Sequence, residues 1–231
     1  TSPAAHLVRH MEQLPQPVRF QWQTTVQPLQ AQAGAGWQLH SPEHGPEAQR
    51  YQAVLLAVPA PQAAPLLEAV APKAATLARS APMRACWSVM VRCPQPVPLP
   101  VDGCFVEHSP LRWIARDSSK PGRSGPETWL LHASHGWSEA HVHDAATAVT
   151  AALLQAFAQL GGPDPASVQA TAHRWLYADT APPLNVDGWW QPETGLGLCG
   201  DWLHNGTVEG AWLSGRHLAQ RVHTTLATRT A

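Results

Sequence analysis

The stretch ETGLGLCGDWLHNGTVEGAWLSGRHLA, residues 193–219, decides how this chain is read. It contains Gly195-x-Gly197-x-x-Gly200, the spacing of a dinucleotide fingerprint. That fingerprint needs a strand, a tight glycine turn, a helix that starts at once, and an acidic residue about twenty positions later. Here Gly200 is followed by Asp201-Trp-Leu-His-Asn-Gly206, which reads as a loop, and no Asp or Glu follows Glu209. The pattern fails on both counts. Gly195 and Gly197 are read instead as glycines that let a buried strand lie against its neighbour.

What the stretch predicts is a short buried strand over Gly195–Cys199 and a long helix over Gly206–Ala227. Gly200 permits close backbone approach, and Asp201 offers an acceptor at the strand's carboxyl end, where open α/β sheets hold ligands. The first turn of the helix leaves unpaired N–H groups and a positive dipole end. Such a terminus suits a phosphate, or a ring oxygen that becomes negative on reduction. The same residues also read as a strand, a cap and a helix with nothing bound.

Working outward, Pro3–Leu14 has Ser2 as a cap and Leu7, Met11 and Leu14 at helical spacing. Val18–Gln32 predicts one or two strands, and Trp37–Ser41 and Arg50–Val58 predict two more. Ala60–Ala78 predicts one or two short helices interrupted by Pro65 and Pro72. From Met83 onward, Ala85–Arg92, Gly103–Glu107, Leu111–Arg116 and Thr128–His132 are short strand-like runs between Pro/Gly/Ser-rich turns, the texture of an antiparallel sheet. Ser138–Leu160 predicts one helix ending at Gly161-Gly162, and Ser167–Tyr177 a strand. The fold class is therefore α/β. Residues 1–80 and 190–231 form a discontinuous unit that brackets an inserted, mainly antiparallel β unit at 81–189.

Composition narrows the function. The 231 residues carry a net charge of −1 and no Lys/Arg run, which argues against nucleic acid. The longest apolar runs are too short to cross a bilayer, and Thr1–Gln16 lacks the charged-then-apolar pattern of a secretory signal. Four cysteines without C-x-x-C read as reduced thiols in a cytoplasmic protein. Among 13 histidines only His141-x-His143 is closely spaced, on an expected helix where i and i+2 point apart, so no metal site is expected. The 11 tryptophans read as core, with some available to wall an aromatic pocket. Ser118–Arg123 reads as a solvated turn, and Ser134, His135 and Asp144 lack the frame of a hydrolase triad.

Gly197-Leu-Cys-Gly-Asp-Trp202, Val208-Glu-Gly-Ala-Trp-Leu-Ser-Gly215 and His217-Leu-Ala219 resemble the C-terminal flavin motif of the FAD-dependent amine oxidase superfamily. They are most similar to its bacterial renalase-like branch. Tyr51–Gln62, Trp113–Arg123, Thr128–Ser138 and His173–Ala178 resemble further segments of that family in the same order. The resemblance implies an incomplete, discontinuous FAD-binding Rossmann-like domain with an inserted substrate domain. It implies oxidation of a small reduced substrate, a dihydronicotinamide isomer or an amine, with oxygen as acceptor. By that resemblance, Gly200 and Asp201 approach the ribityl or pyrophosphate region. Val208, Glu209, Gly210 and Ala211 present the helix start to the ring, and Val26 lies beside the adenine. His173 and Trp175 fall on the substrate side. The family's opening strand, glycine loop and helix have no counterpart here, because Thr1–Leu7 matches a helix well inside the family's chain. The expectation is a fragment that binds FAD weakly or not at all by itself. It would pair as a homodimer or with the N-terminal glycine-rich segment. The other reading is a catalytically inert remnant that acts as a binding or oligomerising module.

Overall fold

A computed structural model describes residues 3–30 and 36–230. In chain order these form α1 (Pro3–Glu12), β1 (Trp37–Ser41), β2 (Gly45–Tyr51), β3 (Val54–Leu56), α2 (Ala60–Leu67), α3 (Pro72–Arg79), β4 (Met83–Arg92), β5 (Gly103–Phe105), β6 (Leu111–Arg116), β7 (Thr128–Ala133), α4 (His135–Ala140), α5 (Ala146–Gln159), β8 (Gln169–Thr180), β9 (Trp189–Gln191), β10 (Leu196–Leu198) and α6 (Val208–Thr230). The architecture is mixed α/β. No helix among the described residues is long and apolar enough to cross a membrane.

The largest element is an antiparallel sheet in the order β5-β6-β7-β4-β8. Its strands alternate, because successive side chains point to opposite faces. On β4, Trp87, Val89 and Val91 turn to one side and join Ile114, Trp129 and Leu131 of the neighbouring strands. Helix α5 covers that side with Val149, Leu153, Ala156 and Phe157, spaced three and four residues apart. The Trp129 and Phe157 rings meet at 5.3 Å between centroids. The helix ends at Gly161, whose φ of +95° suits the left-handed position after a helix.

A second core lies between α2, α3 and the three-stranded sheet β3-β10-β9. Strand β10 runs parallel to β3 and antiparallel to β9. Its glycines have separate duties. Gly195 sits at φ +71°, and a Cβ there would meet the Gln52 carbonyl oxygen at 2.3 Å. A Cβ on Gly197 would press on Leu218 of α6 at 2.9 Å, so this glycine lets the helix lie close to the strand. Gly200 has φ 156° and ψ 166°, a conformation nearly confined to glycine. Its N–H donates to Ser214 Oγ at 3.1 Å.

Several elements differ from their expected course. Residues 18–30 form no ladder; Gln27 N–H and Leu29 N–H each donate singly, to the His40 and Leu66 carbonyls. Residues 31 and 32 of that expected strand, and the Ser2 cap, lie outside the described residues. The run Arg50–Val58 splits between β2 and β3, which belong to different sheets. Pro65 stays inside α2, while Pro72 opens α3. The helix expected over 138–160 is two helices. The break spans 141–145, so His141 and His143 lie in a turn rather than on a helix. There the Trp87 indole N–H holds the His141 carbonyl at 3.0 Å. Trp189 and Trp190 belong to β9. Of the tryptophans, Trp87, Trp129, Trp190 and Trp202 are buried, whereas Trp22, Trp175 and Trp212 are exposed.

Gly195→Ala combines a left-handed φ with a backbone collision, so it is expected to lower stability by about 1–3 kcal/mol. Gly215→Ala, which meets nothing within 4 Å, is expected to be neutral or slightly stabilising. Urea unfolding midpoints of the two variants check this; equal midpoints would contradict it.

Candidate functional site

The face of the large sheet opposite α5 is open. A cavity of about 910 Å³ lies over it, lined by residues of β4 to β8. Its floor follows the strand register. Phe105 pairs with Trp113, Trp113 with His132, His132 with Ser88 and Ser88 with His173, giving one transverse row across all five strands. Cys86 pairs with Trp175 in the next row. The His173 and Trp175 rings meet edge to face at 4.3 Å, and Trp113 meets Phe105 at 4.8 Å. Flat rings on a sheet present a surface suited to another flat ring.

One end of the cavity is polar, and two strand irregularities make it so. The β6–β7 register shifts between Leu111 and Trp113, which leaves Arg112 as the extra residue. The β4–β8 register shifts between Arg84 and Cys86. Bulges re-aim side chains in this manner. Asp179 Oδ2 receives Arg84 Nη2 at 2.5 Å and lies 3.1 Å from His135 Nε2. The same His135 Nε2 also touches the Arg112 guanidinium. A neutral imidazole nitrogen has one role at a time. With Nδ1–H given to the Ala85 carbonyl at 3.3 Å, Nε2 is left to accept from Arg112. The two arginines exceed the one carboxylate, so this end favours an anion.

Burial holds the His132 imidazole below the ordinary histidine value, and the nearby Arg112 charge lowers it further. At neutral pH His132 is an uncharged donor or acceptor on the cavity floor. Burial raises the Cys86 thiol, only partly countered by the Ser88 hydroxyl and Arg112, so it stays protonated. Cys93 is pushed up to about 11 by burial and by Glu127. The described cysteines are all free thiols.

His173 and Trp175 thus both line this cavity. The other residues singled out in the sequence lie elsewhere. Gly200 lies two residues past β10, and Asp201 opens a 3-10 turn over 201–203, its carbonyl receiving the Gly206 N–H at 2.9 Å. Its carboxylate accepts no hydrogen bond among the described residues. Val208 is 91% exposed at the start of α6, Glu209 is exposed, and Gly210 is buried. Thr207 Oγ1 caps the Gly210 N–H at 2.9 Å, and the Ala211 N–H donates to the Thr207 carbonyl. A Cβ on Gly210 would collide with the Asn205 amide oxygen. Val26 lines a separate groove of about 450 Å³ between residues 19–26 and the β1/β2 hairpin.

The outer turn of α6 is open, and an unpaired carboxylate stands beside a glycine of special conformation. The N–H groups of Gly200 and Gly210 are already engaged by Ser214 and Thr207. Arg84, Arg112, His132, His135 and Asp179 were missed from the sequence. Polar residues at alternate positions opposite an apolar stripe, such as Ser88, His132 and His173, were the signal that could have found the floor. The bulges that expose Arg112 and Asp179 leave no such period. Ser134 caps α4 by accepting from the Trp137 N–H, and His135 is committed to the cavity, so no triad forms.

The sequence model for flavin containing amine oxidoreductases matches residues 4–223, and the chain belongs to that family. Its fold is similar to that of a candidate protoporphyrinogen oxidase from Exiguobacterium sp. 255-15, at 16% identity and a TM-score of 0.72, over 95% of this chain and 51% of the other. Cyclohexylamine oxidase from Brevibacterium oxydans IH-35A matches at 16% identity and a TM-score of 0.67, over 88% and 48%. A wild-type putrescine oxidase bound to putrescine matches at 13% and 0.57, over 90% and 49%. The chain spans about half the length of these solved structures.

Between the ordinary histidine value and the lower one of the fold, unfolded His132 holds a proton and folded His132 does not. This contribution is absent above the ordinary value and destabilises the fold as pH falls through that window. His132→Gln is therefore expected to flatten the acid side of the stability profile. Denaturant midpoints from about pH 8 to about pH 5 measure it; an unchanged slope would count against the assignment.

Proposed function

We propose that the protein is an FAD-dependent oxidoreductase of the renalase-like kind, and that this chain carries its substrate sheet and the helix that meets the flavin. The observation that carries the reading is the ring-floored cavity with an arginine-rich end. The cavity suits a flat, reduced ring joined to an anionic group. A phosphorylated dihydronicotinamide isomer has that chemistry; a small cationic amine would meet Arg84 and Arg112 with only Asp179 to offset them.

Bound FAD would supply two-electron acceptor chemistry, with oxygen as the final acceptor. The Asp201 carboxylate would accept from a flavin hydroxyl. The free amides of the first turn of α6, at Val208 and Glu209, would hold the electron-rich ring edge, where a helix N-terminus stabilises negative charge. Trp113, His173 and Trp175 orient the substrate ring and exclude water. Arg112 holds its anion. Loss of hydride from a dihydronicotinamide needs no strong base, which is consistent with a floor of neutral His132 and protonated Cys86. The exposed apolar residues around the cavity, Met90, Phe105 and Trp175, support association with a second copy or with a further segment of the protein. A cytoplasmic setting suits the four free thiols.

One observation favours the second reading, an inert binding or oligomerising module. The Gly200 and Gly210 N–H groups are satisfied within the chain and are not available to a cofactor. Weak retention of FAD by this chain follows.

Binding measured on the purified chain separates the readings. Reduced nicotinamide mononucleotide is expected to bind, and cyclohexylamine is not. Arg112→Gln is expected to weaken the nucleotide by about tenfold or more, the value of one hydrogen bond to a charged group. Preference for the amine would overturn the anionic substrate. Absence of both ligands, with no flavin colour after soaking in FAD, would favour the inert module.

A further inference from the structure

Asp187, His204 and His217 come from three separate elements and converge. Asp187 lies on the connection from β8 to β9, His204 follows β10, and His217 lies on α6. One ligand atom from each falls within 4.8 Å of the other two. Asp187 Oδ1 stands 3.3 Å from His204 Nε2 and 4.0 Å from His217 Nδ1. Donors held at about 2.0–2.2 Å around a tetrahedral ion stand about 3.3–3.5 Å apart, so closure needs only small side-chain movements.

The backbone is built to bring Asp187 there. The Leu184 N–H donates to the Trp202 carbonyl, and the Val186 and Asp187 N–H groups both donate to the Leu203 carbonyl. Asn185 and Asp187 take φ of +53° and +61°, which Asn and Asp tolerate better than most residues. Both imidazoles also keep a buried Nδ1 with no hydrogen-bond partner among the described residues. Unpaired buried nitrogens are costly, and a metal ion satisfies one outright. A groove of about 340 Å³, lined by Val186, Asp187, His217 and Arg221, gives access from solvent.

We propose that this cluster binds a divalent transition metal ion, zinc or a neighbour in softness. Two imidazoles and one carboxylate suit such ions better than calcium or magnesium, which prefer oxygen. Three protein donors leave a fourth position for water. The ion would tie the β8–β9 connection and the turn after β10 to α6, and so set the direction of that helix. The site does not depend on the flavin reading, since none of the three residues is assigned to cofactor or substrate.

Calorimetric titration of the full chain with zinc chloride tests this, with cobalt(II) absorption reporting the ligand field. One equivalent is expected to bind, with a rise of several degrees in Tm at saturation. His217→Ala and Asp187→Asn, both at partly exposed side chains, are each expected to weaken binding by more than the roughly 10–100-fold that losing a ligand's supporting hydrogen bond costs. A control in which His141 and His143 are both changed to Ala is expected to keep the site. Should His204→Ala fail to fold, the other two variants still decide. Zinc that leaves Tm unchanged, or binding that survives in both variants, would overturn the proposal and leave an ion pair only.

Discussion

A sheet face can be buried by a helix on one side only if its strands keep strict alternation, and the large sheet depends on that constraint. Helix α5 takes Trp87, Val89 and Val91 on β4 together with Trp129 and Leu131 on β7. A one-residue slip would send these rings to the open side and bring Ser88 and His132 into the core. The packing that fixes the register therefore also fixes the transverse row of His132, Ser88 and His173. The candidate site is the reverse side of the core.

Chemistry enters where alternation fails. The extra residue on β6 turns Arg112 to the cavity beside His135, and the irregular end of β8 delivers Asp179 to Arg84. The ladder is lost for a residue or two, and in return charged groups reach a face whose regular positions carry rings and small side chains. The result is a flat, mostly neutral floor with a cationic end.

The C-terminal stretch shows how glycine spacing can mislead. Gly195, Gly197 and Gly200 sit at the intervals of a dinucleotide loop, yet each answers a local demand: a carbonyl at 2.3 Å, a helix side chain at 2.9 Å, and a backbone conformation few other residues reach. The absence of an immediate helix and of a later acidic residue made that legible in advance. The self-capping of α6 by Thr207 was not. A threonine ahead of a helix can cap it or leave its amides to a ligand, and sequence alone does not choose.

By itself the sequence determined the α/β class, most strands of the large sheet, the last helix and the family resemblance. These rest on periods of two and of three to four residues and on local turn chemistry, which neighbours in the chain decide. His173 and Trp175 could be marked only through the family resemblance, which puts their strand on the substrate side. Only the tertiary structure decided that His141 and His143 fall in a turn, that 50–58 divides between two sheets, and that 18–30 pairs by single hydrogen bonds. It alone brought Arg112 to His135, Arg84 to Asp179, and Asp187 to His204 and His217. The physical reason is the same in each case. These contacts join residues far apart in the chain, at bulges and loop ends where no periodic pattern is written.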